Sequence, residues 1–112
     1  MAFDEGLAQR VREALDGRTA ITERRMFGGL AFLVDGKMFV AVSGSKLMAR
    51  VGAERYHDAL ALPHVRHMDF TGKPMVGYVY VEPPGLARDE DLQAWVSWCA
   101  SHVSGLPVKK PK

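Results

Sequence analysis

The stretch Met26 to Val42, MFGGLAFLVDGKMFVAV, constrains the fold of this chain more than any other. Two apolar runs meet at Asp35-Gly36, and Asp-Gly supplies the positive φ angles that a two-residue type I′ turn requires. The stretch therefore predicts a central β-hairpin. No residue in it reads as a nucleophile, acid, base or metal ligand, so it describes a fold rather than a chemistry.

A second reversal is expected at Gly44-Ser45, with glycine first as a type II′ turn prefers, and a third strand over Lys46 to Val51. The two turns together predict a register: Phe32 opposite Phe39, Ala41 opposite Met48 and Val40 opposite Ala49. Because side chains alternate along a strand, that register sorts the meander into two faces. One, with Ala31, Leu33, Met38, Val40, Val42, Leu47, Ala49 and Val51, is wholly apolar and is the expected seat for helices. The other carries Leu30, Phe32, Val34, Lys37, Phe39, Ala41, Ser43, Lys46, Met48 and Arg50, and would leave a mixed apolar and basic surface.

Gly28-Gly29 interrupts the first run, and a glycine pair inside a strand marks a bulge or a close approach by another backbone. A phosphate-cradling loop would lead into a helix N-terminus, whereas this pair leads into Leu30-Ala31-Phe32-Leu33-Val34. Arg24-Arg25, just before it, read as solvated strand-edge charges; a paired-arginine anion site is the sharper alternative.

The flanking segments supply helices and two further strands. Phe3 to Leu15 is expected to be helical, capped by Asp4, with Leu7, Val11, Ala14 and Leu15 on one stripe and Gly17 to end it. Asp16 to Glu23 is expected to be a connection. Ala53 to Leu60 reads as a short helix before Pro63, Val65 to Phe70 as a short strand, and Thr71-Gly72-Lys73-Pro74 as a turn. Met75 to Glu82 reads as a longer strand that Pro83-Pro84 stops, since proline cannot donate to a ladder. The last helix is expected to be capped by Asp89, with Glu90 and Asp91 in its first turn and Leu92, Trp95, Val96, Cys99 and Val103 on one face. The order α-β-β-β-α-β-β-α predicts a two-layer α+β domain with a five-stranded antiparallel sheet.

At 112 residues the chain is one domain, able to bury roughly two-thirds of its unfolded surface. One cysteine excludes an internal disulfide, and neither a signal segment nor about 18 consecutive apolar residues is present, so a cytoplasmic protein without membrane contact is expected. The net charge is +2, but Lys109, Lys110 and Lys112 in the PVKKPK tail leave −1 for the rest. A near-neutral body argues against strong binding to phosphate backbones. The domain is expected over residues 1–106, with 107–112 a disordered basic tail.

Candidate chemistry is sparse. His64 and His67 would point to opposite sides of an extended segment, and His57 and His102 lie apart from them, so a metal centre is not expected. Cys99 reads as a buried filler, and Ser43, Ser45 and Ser97 lack a nucleophile elbow. No catalytic residue and no cofactor are expected, and the chain reads as a non-enzyme. The mixed face carries more weight: Phe32, Phe39 and Met48 with Lys37, Lys46 and Arg50, extended by Tyr78 and Tyr80. It admits three readings: a face covered by the chain itself, a surface for a protein partner or a second copy, and a stacking platform for single-stranded nucleic acid.

MFGGLAFLVDGKMFVAVSG, followed by LMARVG and PHVRHMDFTGKPMVGYVYV, resembles the TfoX N-terminal domain family, also called TfoX/Sxy. The likeness runs from Phe3 to Leu106. It implies a two-layer fold like that of secretion chaperones, with a five-stranded antiparallel sheet flanked by helices. The family's namesake is a regulator of natural competence that acts with a cyclic-AMP receptor protein, in a bipartite chain with a helical C-terminal domain. The present sequence ends at Lys112, so the resemblance implies the N-terminal module alone. It supplies no catalytic residues to place on Met26, Phe27, Gly28 or Gly29. The expectation is a non-enzymatic interaction module, regulatory or accessory, that binds a protein or itself through the mixed face. Nucleic-acid binding by that face is the alternative, and an uncharacterised small-ligand or enzyme site the third.

Overall fold

In the computed structural model, which describes residues 4–15, 21–26, 29–34, 36–69 and 74–104, Asp4 caps helix α1 (Glu5–Ala14) as expected. Its Oδ1 accepts from the Leu7 N–H at 3.2 Å, satisfying one of the donors that a helix start leaves without an intrahelical acceptor. Strands β1 (Ile21–Met26), β2 (Gly29–Val34), β3 (Lys37–Ser43) and β4 (Lys46–Arg50) follow. Helix α2 (Tyr56–Leu60), strands β5 (Val65–Asp69) and β6 (Pro74–Val81), a 3-10 helix (Pro83–Leu86) and helix α3 (Asp89–Ser104) complete the order. Asp89 is the first helical residue and not the cap, because Leu92 N–H already donates to the Arg88 carbonyl.

The strands form one antiparallel sheet in the order β1-β2-β3-β4-β6-β5. Six strands replace the expected five, and the addition is β1. Its sequence, ITERRM, lacks an apolar alternation because it is an edge strand with Thr22 to Arg25 exposed. Charges there also discourage pairing with another sheet. Met26 pairs with Gly29, so the chain reverses between them and the expected bulge is instead the end of a hairpin; Phe27 and Gly28 themselves lie outside the described residues. The close approach expected of the glycine pair does hold at Gly29, where a Cβ would collide with the Val42 carbonyl oxygen. Gly17, the 71–73 turn and the basic tail also lie outside the described residues.

Both tight turns form. Gly36 has φ +77°, and Gly44 has φ +57° while Ser45 does not share the positive region, as a type II′ turn requires. Ala41 pairs with Met48 and Val40 with Ala49, as the sequence predicts. Phe32, however, pairs with Val40 and not with Phe39. Beyond the Val34–Lys37 and Leu33–Met38 pairs the ladder shifts by one, leaving Phe39 as an extra residue in β3. A bulge of this kind turns every earlier side chain of the partner strand to the other face.

The helix-bearing face is therefore Leu30, Phe32, Phe39, Val40, Val42, Leu47, Ala49, Val51, Val79 and Val81, packed with Leu7, Ala8 and Val11 of α1 and Leu92, Trp95, Val96, Cys99 and Val103 of α3. Phe32 and Phe39 are fully buried. α3 lies over β2, β3 and β4, and α2 over β5 and β6. Arg10 joins α1 to the start of α3, donating to the Leu86 carbonyl at 2.7 Å and to Asp89 at 3.1 Å.

Arg12 of α1 grips Glu23 of β1 with two charge-assisted bonds, Nε to Oε2 at 2.8 Å and Nη2 to Oε1 at 2.9 Å. The guanidinium holds the Glu23 carboxyl below its ordinary range. A depressed folded value means stabilisation that is present above the unfolded pKa, about 4.3, and lost as pH falls through the folded one. Glu23→Gln is accordingly expected to cost up to about 1 kcal/mol in urea melts at pH 7, as partly exposed pairs do. The two proteins should converge in stability as the pH is taken well below 4, where the carboxylate is neutral in both states.

Candidate functional site

Among the described residues, the other side of the sheet carries no helix. Its floor is Ala31, Leu33, Ala41, Met48 and Met68, with Met38, Tyr78 and Tyr80 packed against them. Cross-strand pairs share a face, so Arg24, opposite Ala31, and Arg66, opposite Tyr80, also lie here. Met48 pairs with Tyr80 and Arg50 with Tyr78.

The basic residues lie across this surface. Lys46 Nζ sits 4.8 Å above the Tyr80 ring centre, and the Arg50 guanidinium 5.7 Å from that of Tyr78. Arg50 Nη1 also donates to the Met38 carbonyl at 3.3 Å, beside the bulge. Each such cation–ring contact is worth about 0.5–1 kcal/mol where water reaches it. Arg66 pairs with Glu82 at 2.9 Å at one margin, and that guanidinium holds Glu82 below the usual carboxylate range. The five floor residues are at 5 % exposure or less.

Of the eight residues expected on the mixed face, Met48, Lys46, Arg50, Tyr78 and Tyr80 come together here. Phe32 and Phe39 do not, because the bulge turns them into the core. Lys37, opposite Val34, lies on the helix side at the hairpin end. Among the described residues the open face thus lacks the expected phenylalanine pair and presents cations and tyrosines in its place. The sequence reading missed Arg24, Arg66 and Met68, whose places depend on the β1 and β5 registers. Arg24 and Arg25 are neighbours in a strand and so point to opposite faces, which removes the paired-arginine site.

The remaining candidates are separate from one another. His57 and His64 are exposed, and the His67 Nδ1 lies 2.8 Å from the Tyr56 hydroxyl. His102 is half-buried against Gly52, and burial, reinforced by Arg50, lowers its pKa. Among the described residues no three of His, Cys, Asp and Glu gather as a metal site. Cys99 is fully buried and its thiol is pushed up to about 12 by burial, so it is held as an unreactive thiol, as the sequence reading expects. Among the described residues no helix is long and apolar enough to cross a membrane.

Comparison with the curated proteins and with the solved structures returned no match. The family model of the TfoX N-terminal domain matches residues 13–103. That span begins in the last turn of α1, takes in all six strands and ends in the last turn of α3. With four-fifths of its length matched, including the whole of the sheet described above, the chain belongs to the TfoX N-terminal domain family.

Proposed function

We propose that this protein is a non-enzymatic interaction module, regulatory or accessory in role, that docks a protein partner with an acidic surface on the open sheet face. One observation carries the reading: among the described residues Arg24, Lys46, Arg50 and Arg66 share a face without helices with Tyr78 and Tyr80, and Glu82 offsets them at one margin. Interface centres favour tyrosine, methionine and arginine, and complementary charge selects partner and orientation. Use as a stacking platform for nucleic acid is disfavoured by the same geometry. Lys46 and Arg50 already lie against the tyrosine rings on which bases would stack.

The test is a titration with a glutamate-rich, tyrosine-containing peptide followed by amide chemical shifts, beside a single-stranded oligonucleotide of equal charge. The reading expects shifts concentrated on β4 and β6, weakened by salt and lost in the double variant Lys46→Glu, Arg50→Glu. Absence of peptide shifts at low salt overturns it. Tighter binding of the oligonucleotide overturns it in favour of nucleic acid.

A further inference from the structure

Both tryptophans of the chain lie in one cleft, on the helix-bearing side of the sheet and so away from the cationic face. α2 rests on β5 and β6 while α3 rests on β2, β3 and β4, and the two helices leave a gap over the end of β4. The gap holds two hollows that share Trp98. One, of about 550 Å³, is walled by Leu62, Pro63, Pro84, Ala94 and Trp95. The other, of about 860 Å³, is walled by Val51, Ala53, Arg55, Ser101 and His102. Along α3 the lining residues Asp91, Ala94, Trp95, Trp98, Ser101 and His102 recur at helical spacing, so one face of the helix forms the whole wall.

A cation lines the second hollow. The Arg55 guanidinium lies 4.4 Å from the Trp98 ring centre, and Trp98 in turn stacks on Trp95 at 5.2 Å with planes 7° apart. A guanidinium resting on a ring is held in place while its in-plane N–H donors remain available. Among the described residues those donors make no hydrogen bond or ion pair. Ser101, exposed on α3, and the His102 imidazole stand in the same hollow. Glu54 also borders it and offsets part of the Arg55 charge, and Asp91 borders the other hollow, so an anionic group is directed to the in-plane donors of Arg55 and not to the cleft at large.

We propose that this cleft binds a small amphiphilic carboxylate, its apolar body between Leu62, Pro63, Ala94 and Trp95 and its carboxylate on Arg55 and Ser101. The apolar hollow supplies burial, and the ring-held guanidinium supplies the charge-assisted bond that orients the ligand. Leu62, 43 % exposed at the mouth, gains cover when the ligand enters.

The chain has only these two tryptophans, so tryptophan emission, excited beyond the absorption of its three tyrosines, reports on this cleft. Titration with octanoate is expected to give a saturable change in emission. Octan-1-ol should bind about tenfold more weakly, the loss of one charge-assisted bond. Arg55→Gln should abolish that preference. Ser101→Asp, at an exposed position, should weaken octanoate more than octanol. A native chain with no saturable response to octanoate overturns the proposal. So does equal binding of the two probes, or an undiminished preference in both variants with their urea midpoints unchanged.

Discussion

Replacing Phe39 by alanine is expected to destabilise the protein by about 3–5 kcal/mol, the usual cost of removing a phenyl ring from a packed core. Phe39 is the extra residue of the β3 bulge, and its ring is fully buried between the sheet and the helices α1 and α3. Urea unfolding of the native and variant chains measures the difference as a shift in midpoint at constant slope. Had the hairpin run without the bulge, the ring would lie on the open face, and the same substitution would change stability by less than about 1 kcal/mol. A small effect would therefore reject the observed register, and a large one would reject Phe39 as a docking residue.

Gly52→Ala is expected to cost about 2–5 kcal/mol from two separable sources. Gly52 has φ +91°, where an L side chain costs about 1–2 kcal/mol. A Cβ there would also stand 2.6 Å from the His102 ring, so the imidazole must move, adding about 1–3 kcal/mol of overpacking. The double variant Gly52→Ala, His102→Ala tests the division, because removing the ring relieves the second part and leaves the first. If the double variant is no better than the additive sum of the singles, the steric part is absent.

Local signals in this chain were readable to the residue, and long-range ones were not. The Asp4 cap, the positive φ at Gly36 and Gly44, the apolar stripe of α3 and the Val40–Ala49 and Ala41–Met48 pairs each depend on a few adjacent residues. β1 escaped because an edge strand with Glu23, Arg24 and Arg25 at its centre carries no period of two. The bulge escaped because no turn residue marks it. A volume argument could have found it, since the unbulged register puts both phenylalanines of the meander into water and puts Ala31 among the residues that must fill the core. That conflict is a packing signal, visible only when the two faces are compared as wholes.

The candidate sites divide in the same way. Lys46, Met48 and Arg50 lie two apart on one strand, and Tyr78 and Tyr80 two apart on another, so sequence alone grouped them correctly within each strand. The two sets were expected on one face, and the β4–β6 pairing, which skips β5 in chain order, is what brings them together. The cleft was invisible for another reason. Trp98 lies off the buried stripe of α3, and its partner Arg55 is 43 residues away, in the turn before a five-residue helix.

The surplus residue in β3 makes chain length, and not residue type, the arbiter of which side of this molecule meets water. Between Gly36 and Val40 a substitution alters one contact, but a chain one residue shorter there could close the bulge with Phe32 still paired to Val40, so that only side chains between the turn and Val40 could change sides.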